Sequence, residues 1–72
     1  MTHGIAPEAR LGNDIARQFA HLPQDEAVER IAAHLARFWE PRMRARLREL
    51  VAAGDPDVDP LVAAAARRHP PG

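Results

Sequence analysis

The chain contains no Cys, no Ser, no Tyr and no Lys, and its only hydroxyl side chain is that of Thr2. Without Cys there can be no disulfide, iron–sulfur cluster or thiolate zinc site, so the fold must hold by packing, and cysteine usage says nothing about the redox compartment. Ser, Cys or Tyr nucleophilic catalysis is likewise excluded. With no Lys and no phosphate-binding Gly-rich loop, the chain lacks the parts for nucleotide hydrolysis. It also lacks the run of about 18 apolar residues needed to cross a bilayer. Its first twenty residues carry Glu8 and Asp14 where a secretion signal needs an apolar stretch. A cytoplasmic location is the resulting expectation.

An excess of one charge is missing as well. Ten basic residues, all Arg, balance ten acidic ones, so the whole-molecule field gives no long-range attraction to nucleic acid or anionic lipid. Any charge argument is therefore local. Exclusive use of Arg together with abundant Ala and Pro is what a GC-rich genome produces, yet it has physical consequences, because guanidinium forms planar bidentate bonds that ammonium does not.

What is present fits one small helical domain. The 72 residues are 46% hydrophobic and 28% charged, a globular rather than a disordered balance. A single domain over 1–72, with 1–7 and 70–72 as loose ends, is the expected organisation. A core of this size supplies roughly 3 to 5 kcal/mol unless metal, disulfide, oligomerisation or very regular helix packing supplements it, so a partner is a reasonable expectation.

Helical periodicity begins at Glu8, where Leu11, Ile15, Phe19 and Leu22 recur at three- and four-residue steps. This predicts a first helix from about Glu8 to His21. Gly12 and Ala16 sit beside the stripe, where their small size admits close approach of another element. Pro23 stops the helix, and Asp25, Glu26 and Glu29 suit the positive end of a second helix dipole. The second helix is expected from about Gln24 to Trp39. At about 100 degrees per residue, Val28, Ile31, Ala32, Leu35, Phe38 and Trp39 share one sector, with Glu26, Glu29, Arg30 and Arg37 opposite. The short Pro-containing turn favours an antiparallel hairpin in which Leu11, Ile15 and Phe19 pack on Val28, Ile31 and Leu35.

Pro41 disfavours helical geometry at Glu40 and is itself suited to begin a third helix. Met43, Leu47, Leu50 and Val51 form the buried stripe of that helix, from about Pro41 to Ala53, with Gly54 as a left-handed stop. After a linker, Asp59 as N-cap and Pro60 as first residue start a short fourth helix, whose last turn carries Arg67, Arg68 and His69 near the negative dipole end. Nothing alternates with period two. The reading is an all-α bundle of three to four helices.

Few residues suggest a site. Asp55, Asp57 and Asp59 alternate like the first half of a calcium-binding EF-hand loop, but Pro60 stands where Gly is needed and Ala66 where a bidentate Glu is needed, so a turn with helix-capping acids is the better reading. His3, His21, His34 and His69 form no ligand spacing for zinc, and His34 is a boundary residue of the second helix. The informative stretch is Phe38-Trp39-Glu40-Pro41-Arg42-Met43-Arg44. Two large aromatics meet a proline corner, followed by Arg42, Arg44, Arg46 and Arg48. Arg42 and Arg46 flank the apolar stripe on one side, Arg44 and Arg48 on the other. Each pair is a like-charge i, i+4 pair that costs a few tenths of a kcal/mol in an isolated helix and is partly offset by Glu40 and Glu49. An anionic or carboxylate-rich partner explains the surplus, and so does a solvated Arg-rich surface. Trp39 reads as a core-sealing residue as readily as a binding hot spot.

The run Asn13-Asp14-Ile15 with Phe19, Pro23, Ala27 and Ile31-Ala32, then His34-Leu35, Phe38-Trp39, Pro41-Arg42-Met43-Arg44, and later Pro60-Leu61-Val62 and Ala65, resembles the delta subunit of NAD-dependent formate dehydrogenase. Glu40 departs from it, since Asp is the commoner residue there and the better helix cap. The resemblance spans about residues 11–66. It implies a small non-catalytic subunit of a soluble molybdenum or tungsten enzyme, supporting assembly, cofactor insertion or stability of the catalytic alpha subunit. In that family molybdopterin guanine dinucleotide, Fe–S clusters and FMN belong to the other subunits, and none is expected on this chain. The expected partner-binding residues are Phe38, Trp39, Pro41, Arg42, Met43, Arg44, Arg46 and Arg48, with Trp39 and Met43 as apolar anchors and Arg42 and Arg44 pairing with acidic or phosphate groups. Other readings of the same residues are a nucleic-acid-binding module, which the zero net charge and absent Lys disfavour, and a self-associating bundle.

Overall fold

Four helices and no strand make up residues 4–68, the part of the chain that the computed structural model describes. They are α1 (Pro7–Phe19), α2 (Gln24–Phe38), α3 (Pro41–Ala52) and α4 (Pro60–Arg68). The all-α expectation holds, and helix ends fall within two residues of the sequence reading. Pro7 starts α1 instead of ending the lead-in, because a ring-fixed φ and a missing N–H suit the first helical position. The helix stops two residues early. Leu22 N–H turns back to the Phe19 carbonyl at 3.0 Å, and Pro23 then holds extended backbone.

The third helix ends as its glycine requires. Gly54 has φ +73, its N–H reaches the Val51 carbonyl, and Asp55 N–H reaches the Leu50 carbonyl, each at 3.0 Å. This is a Schellman closure, which satisfies carbonyls that the last turn would otherwise leave open. In the linker Asp55 Oδ1 accepts from Asp57 N–H, and Asp59 Oδ1 accepts from Leu61 N–H, both at 2.8 Å. Two of the three alternating acids thus serve as turn and helix caps. Among the described residues no three His, Asp or Glu side chains converge as a metal set. His3, His69, Pro70 and Pro71 lie outside them.

The centre of the bundle is the pairing of α2 with α4, not the α1–α2 hairpin expected from the first two stripes. An ion pair of 2.9 Å joins Arg68, at the end of α4, to Glu29, early in α2. At the other end, Trp39 and Val62 meet at Gly12 of α1. The two helices therefore run antiparallel. Ile31, Leu47 and Val62 are the large side chains sealed completely, with Ala9, Ile15, Ala16, Val28, Ala32, Leu35, Leu50, Val51, Val58, Ala65 and Ala66 around them.

The buried face of α1 also differs from the expected one. Ala9, Gly12, Ile15 and Ala16 are buried, whereas Leu11 is 44% exposed. Small residues prevail because they bring the helix axis close. A Cβ at Gly12 would lie 3.0 Å from Val62 Cγ1 and 3.9 Å from the Trp39 ring, so only hydrogen fits without displacement. Rotating α1 to bury Leu11 would lose that seat for Val62 and Trp39.

Beside this seam a polar clamp fixes the linker. Asn13 Nδ2 donates to the Asp57 carbonyl at 2.7 Å, and its Oδ1 accepts from Asp59 N–H at 2.9 Å. One amide side chain thus satisfies two main-chain groups of a non-helical segment and sets where α4 begins.

Candidate functional site

The α2–α3 corner distributes its two aromatics to opposite environments. Pro41 lacks an N–H and cannot continue the ladder of α2, so the chain leaves helical geometry at Trp39 (ψ 142) and Glu40 (ψ 152) before α3 starts. This turn sends Trp39 inward, where it is only 8% exposed, and leaves Phe38 64% exposed. Phe38 was expected in the buried sector of α2. It lies instead on the exposed side, and Trp39 takes the buried place at this end of α2.

Phe38 is nonetheless held in place. The His34 ring lies at 4.8 Å between centroids and tilted by 45°, and the Arg37 guanidinium stands 5.6 Å from the Phe38 centroid. An i, i+4 aromatic contact and a cation–π contact thus steady an exposed apolar ring. Arg42, also exposed, stands with Glu40 and Pro41 around a shallow hollow at the start of α3.

The remaining expected site residues separate by what they touch. Arg44 is half-buried; its Nη1 donates to the Trp39 carbonyl and approaches the Leu35 carbonyl at 3.5 Å. It caps the C-terminal end of α2 by donating to the Trp39 carbonyl, rather than pointing outward for an anion. Met43 is half-buried against the core, and Trp39 is part of it, so neither offers the free apolar surface expected of an anchor. Arg46 pairs with Glu49 at 3.1 Å on the exposed side of α3. Arg48 lies half-buried between α3 and α4 and has no carboxylate partner among the described residues.

Two contributors were not picked out from the sequence. By sequence Arg37 belongs to the polar face of α2, yet it stands over the Phe38 ring. Arg67 suits the negative dipole end of α4 by sequence, yet it also lines, with Arg48, a cleft between α3 and α4. The i+4 spacing of His34 and Phe38 was a usable signal; the placement of Arg67 and Arg48 on one cleft depends on how α4 docks and had none.

These observations define a class: a small all-α bundle with a sealed core and a basic, aromatic corner on its surface. Residues 9–66 match the family described as NADH-dependent formate dehydrogenase delta subunit FdsD. The chain belongs to that family. Neither a curated protein nor a solved structure matches it. The matched stretch runs from the buried start of α1 to the last sealed residues of α4, so it includes both the Gly12 seam and the corner. As a delta subunit it associates with other formate dehydrogenase subunits, and no described helix is long and apolar enough to cross a membrane.

Proposed function

We propose that this delta subunit performs no redox chemistry itself and docks through the corner of Phe38, Pro41 and Arg42 on the catalytic alpha subunit, supporting its assembly, cofactor insertion or stability. In this reading the molybdopterin, Fe–S and flavin groups belong to the other subunits, and the complex works in the cytoplasm. The observation that carries the proposal is the exposure of Phe38. A ring held between His34 and Arg37 costs little conformational entropy when it is covered, and covering a Phe side chain is worth roughly 1.5 to 3 kcal/mol. Aromatic and Arg side chains are also the commonest energetic centres of interfaces. Arg42 beside it would pair with a partner carboxylate, and Met43 and Arg44 would hold the corner in shape from behind.

A tagged subunit carrying Phe38→Ala with Arg42→Glu tests this. Co-purification of the alpha subunit from the native host should fall at least tenfold, with helical content by circular dichroism unchanged. Wild-type recovery of the alpha subunit would overturn the proposed contact. Full formate-dependent NADH production and normal metal loading after deletion of the subunit would overturn the proposed role.

A further inference from the structure

A second surface of the subunit is built differently from the corner. Between α3 and α4 a cleft of about 190 Å³ is lined by Val51, Ala52 and Ala66, with Arg48 and Arg67 at its edges. It shares Arg48 and Ala66 with a narrower cleft that continues toward α2 over Leu35, Leu47 and Ala65, and Arg44 lies on that side. The two adjoin at Arg48 and Ala66, and their apolar lining is Ala, Val and Leu. No carboxylate lines either part.

The charge around this groove is unbalanced. Arg17, Arg30, Arg46 and Arg68 each pair with an acid, and Arg44 donates to carbonyls. Arg10, Arg37, Arg42, Arg48 and Arg67 have neither kind of partner among the described residues, and of these Arg48 and Arg67 border the same cleft. Two arginines bordering one cleft with no acid among its lining residues favour a carboxylate that enters it. A floor of Ala and Val leaves room for a helix to approach closely, as an amphipathic helix lies in a groove between two others.

We infer that this groove seats an acidic amphipathic helix of a partner formate dehydrogenase subunit, its small apolar residues on Val51, Ala52 and Ala66 and two of its carboxylates on Arg48 and Arg67. The inference rests on the docking reading above but uses a separate surface, so the subunit would hold its partner at two places: Phe38 at the corner and the paired guanidiniums in the groove.

The test places a photo-cross-linking residue at Ala52, which is exposed at the groove edge, in the tagged full chain within the native complex. The expected product joins Ala52 to a partner peptide with at least two acids within two helical turns. Arg48→Glu with Arg67→Glu should lower its yield at least tenfold, while Phe38→Ala should retain this cross-link in whatever complex remains. A cross-link to a second copy of this chain, to a peptide without acids, or to nothing in an intact complex would overturn the groove and leave the corner standing.

If no formate dehydrogenase subunit co-purifies, the docking reading fails, and the groove is tested on the isolated full chain. The probe is a synthetic Ala/Leu helix bearing Glu at i, i+4, compared with its Lys counterpart. At least tenfold tighter binding of the Glu peptide, lost in the Arg48→Glu, Arg67→Glu variant, supports the groove; equal binding of both peptides, or of neither, overturns it. Circular dichroism of the double variant, and the milder Arg48→Gln, separate lost recognition from lost fold.

Discussion

The seam where α1 meets α4 and the corner where α2 gives way to α3 share Trp39, yet they use their residues in opposite ways. At the seam the chain removes bulk, placing Gly12 under Val62 and the Trp39 ring, and satisfies polar main-chain groups internally through Asn13. At the corner it leaves a phenyl ring 64% exposed and a free guanidinium, Arg42, beside it. The difference shows that side-chain type alone does not separate a stabilising residue from an interacting one. Phe38 and Trp39 are both large aromatics at the end of an amphipathic helix, and the extended backbone at Trp39 and Glu40 forced by Pro41 assigns them different roles.

The largest effect that tests this contrast is expected from Trp39→Ala. Removing a buried Trp costs about 3 to 5 kcal/mol, comparable to the whole stability of a domain this small, so the variant should be largely unfolded at room temperature by circular dichroism. Phe38→Ala should move the urea midpoint little, by about 0.5 kcal/mol or less, because the ring has little native burial to lose. If Phe38→Ala destabilised as much as Trp39→Ala, the division between seam and corner would be wrong.

Asn13→Ala comes next. It leaves the Asp57 carbonyl and the Asp59 N–H without their partner, and a loss of roughly 1 to 3 kcal/mol is expected in denaturant unfolding. Asn13→Asp sharpens the result, since it retains the acceptor for Asp59 N–H and loses the donor to Asp57. Gly54→Ala should cost about 1 to 2 kcal/mol, because at φ +73 a Cβ meets its own backbone and not a neighbour. The smallest effect is expected from Arg46→Ala. Its pair with Glu49 is exposed on both sides, and thermal unfolding should shift by no more than the equivalent of about 0.5 kcal/mol.

Much of the fold was readable in the sequence for identifiable reasons. Pro23, Pro41, Gly54 and Asp59 act within a few residues of themselves, so their local chemistry placed the breaks between helices and the start of α4. The stripes of α2 and α3 were readable because their large apolar residues are the ones buried, apart from the exposed Phe38 and the half-buried Met43. The face of α1 was not, since periodicity weighted by size favours Leu11 over Gly12, and the demand for a small residue there arises from Val62, fifty positions later. The clamping role of Asn13 was hidden for the same reason: its partners are main-chain groups at residues 57 and 59.

At the candidate site, the stretch was identified but not the roles within it. The break in helical geometry at Trp39 and Glu40 follows from Pro41 ending α2. That could have been argued from the sequence. The placement of Arg48 and Arg67 on one cleft could not, because it depends on α4 lying along α3.

The contact of Val62 with Gly12 has a further consequence for how the molecule comes apart. Because the first and last helices seat each other, and Asn13 holds the loop that leads into the last one, a fluctuation that lifts α4 uncovers Gly12 and one side of Trp39 at the same moment. Amide protons in α1 and α4 should therefore exchange with deuterium at matching rates, as a single opening unit, and a fragment ending before Pro60 should lack a closed interior altogether.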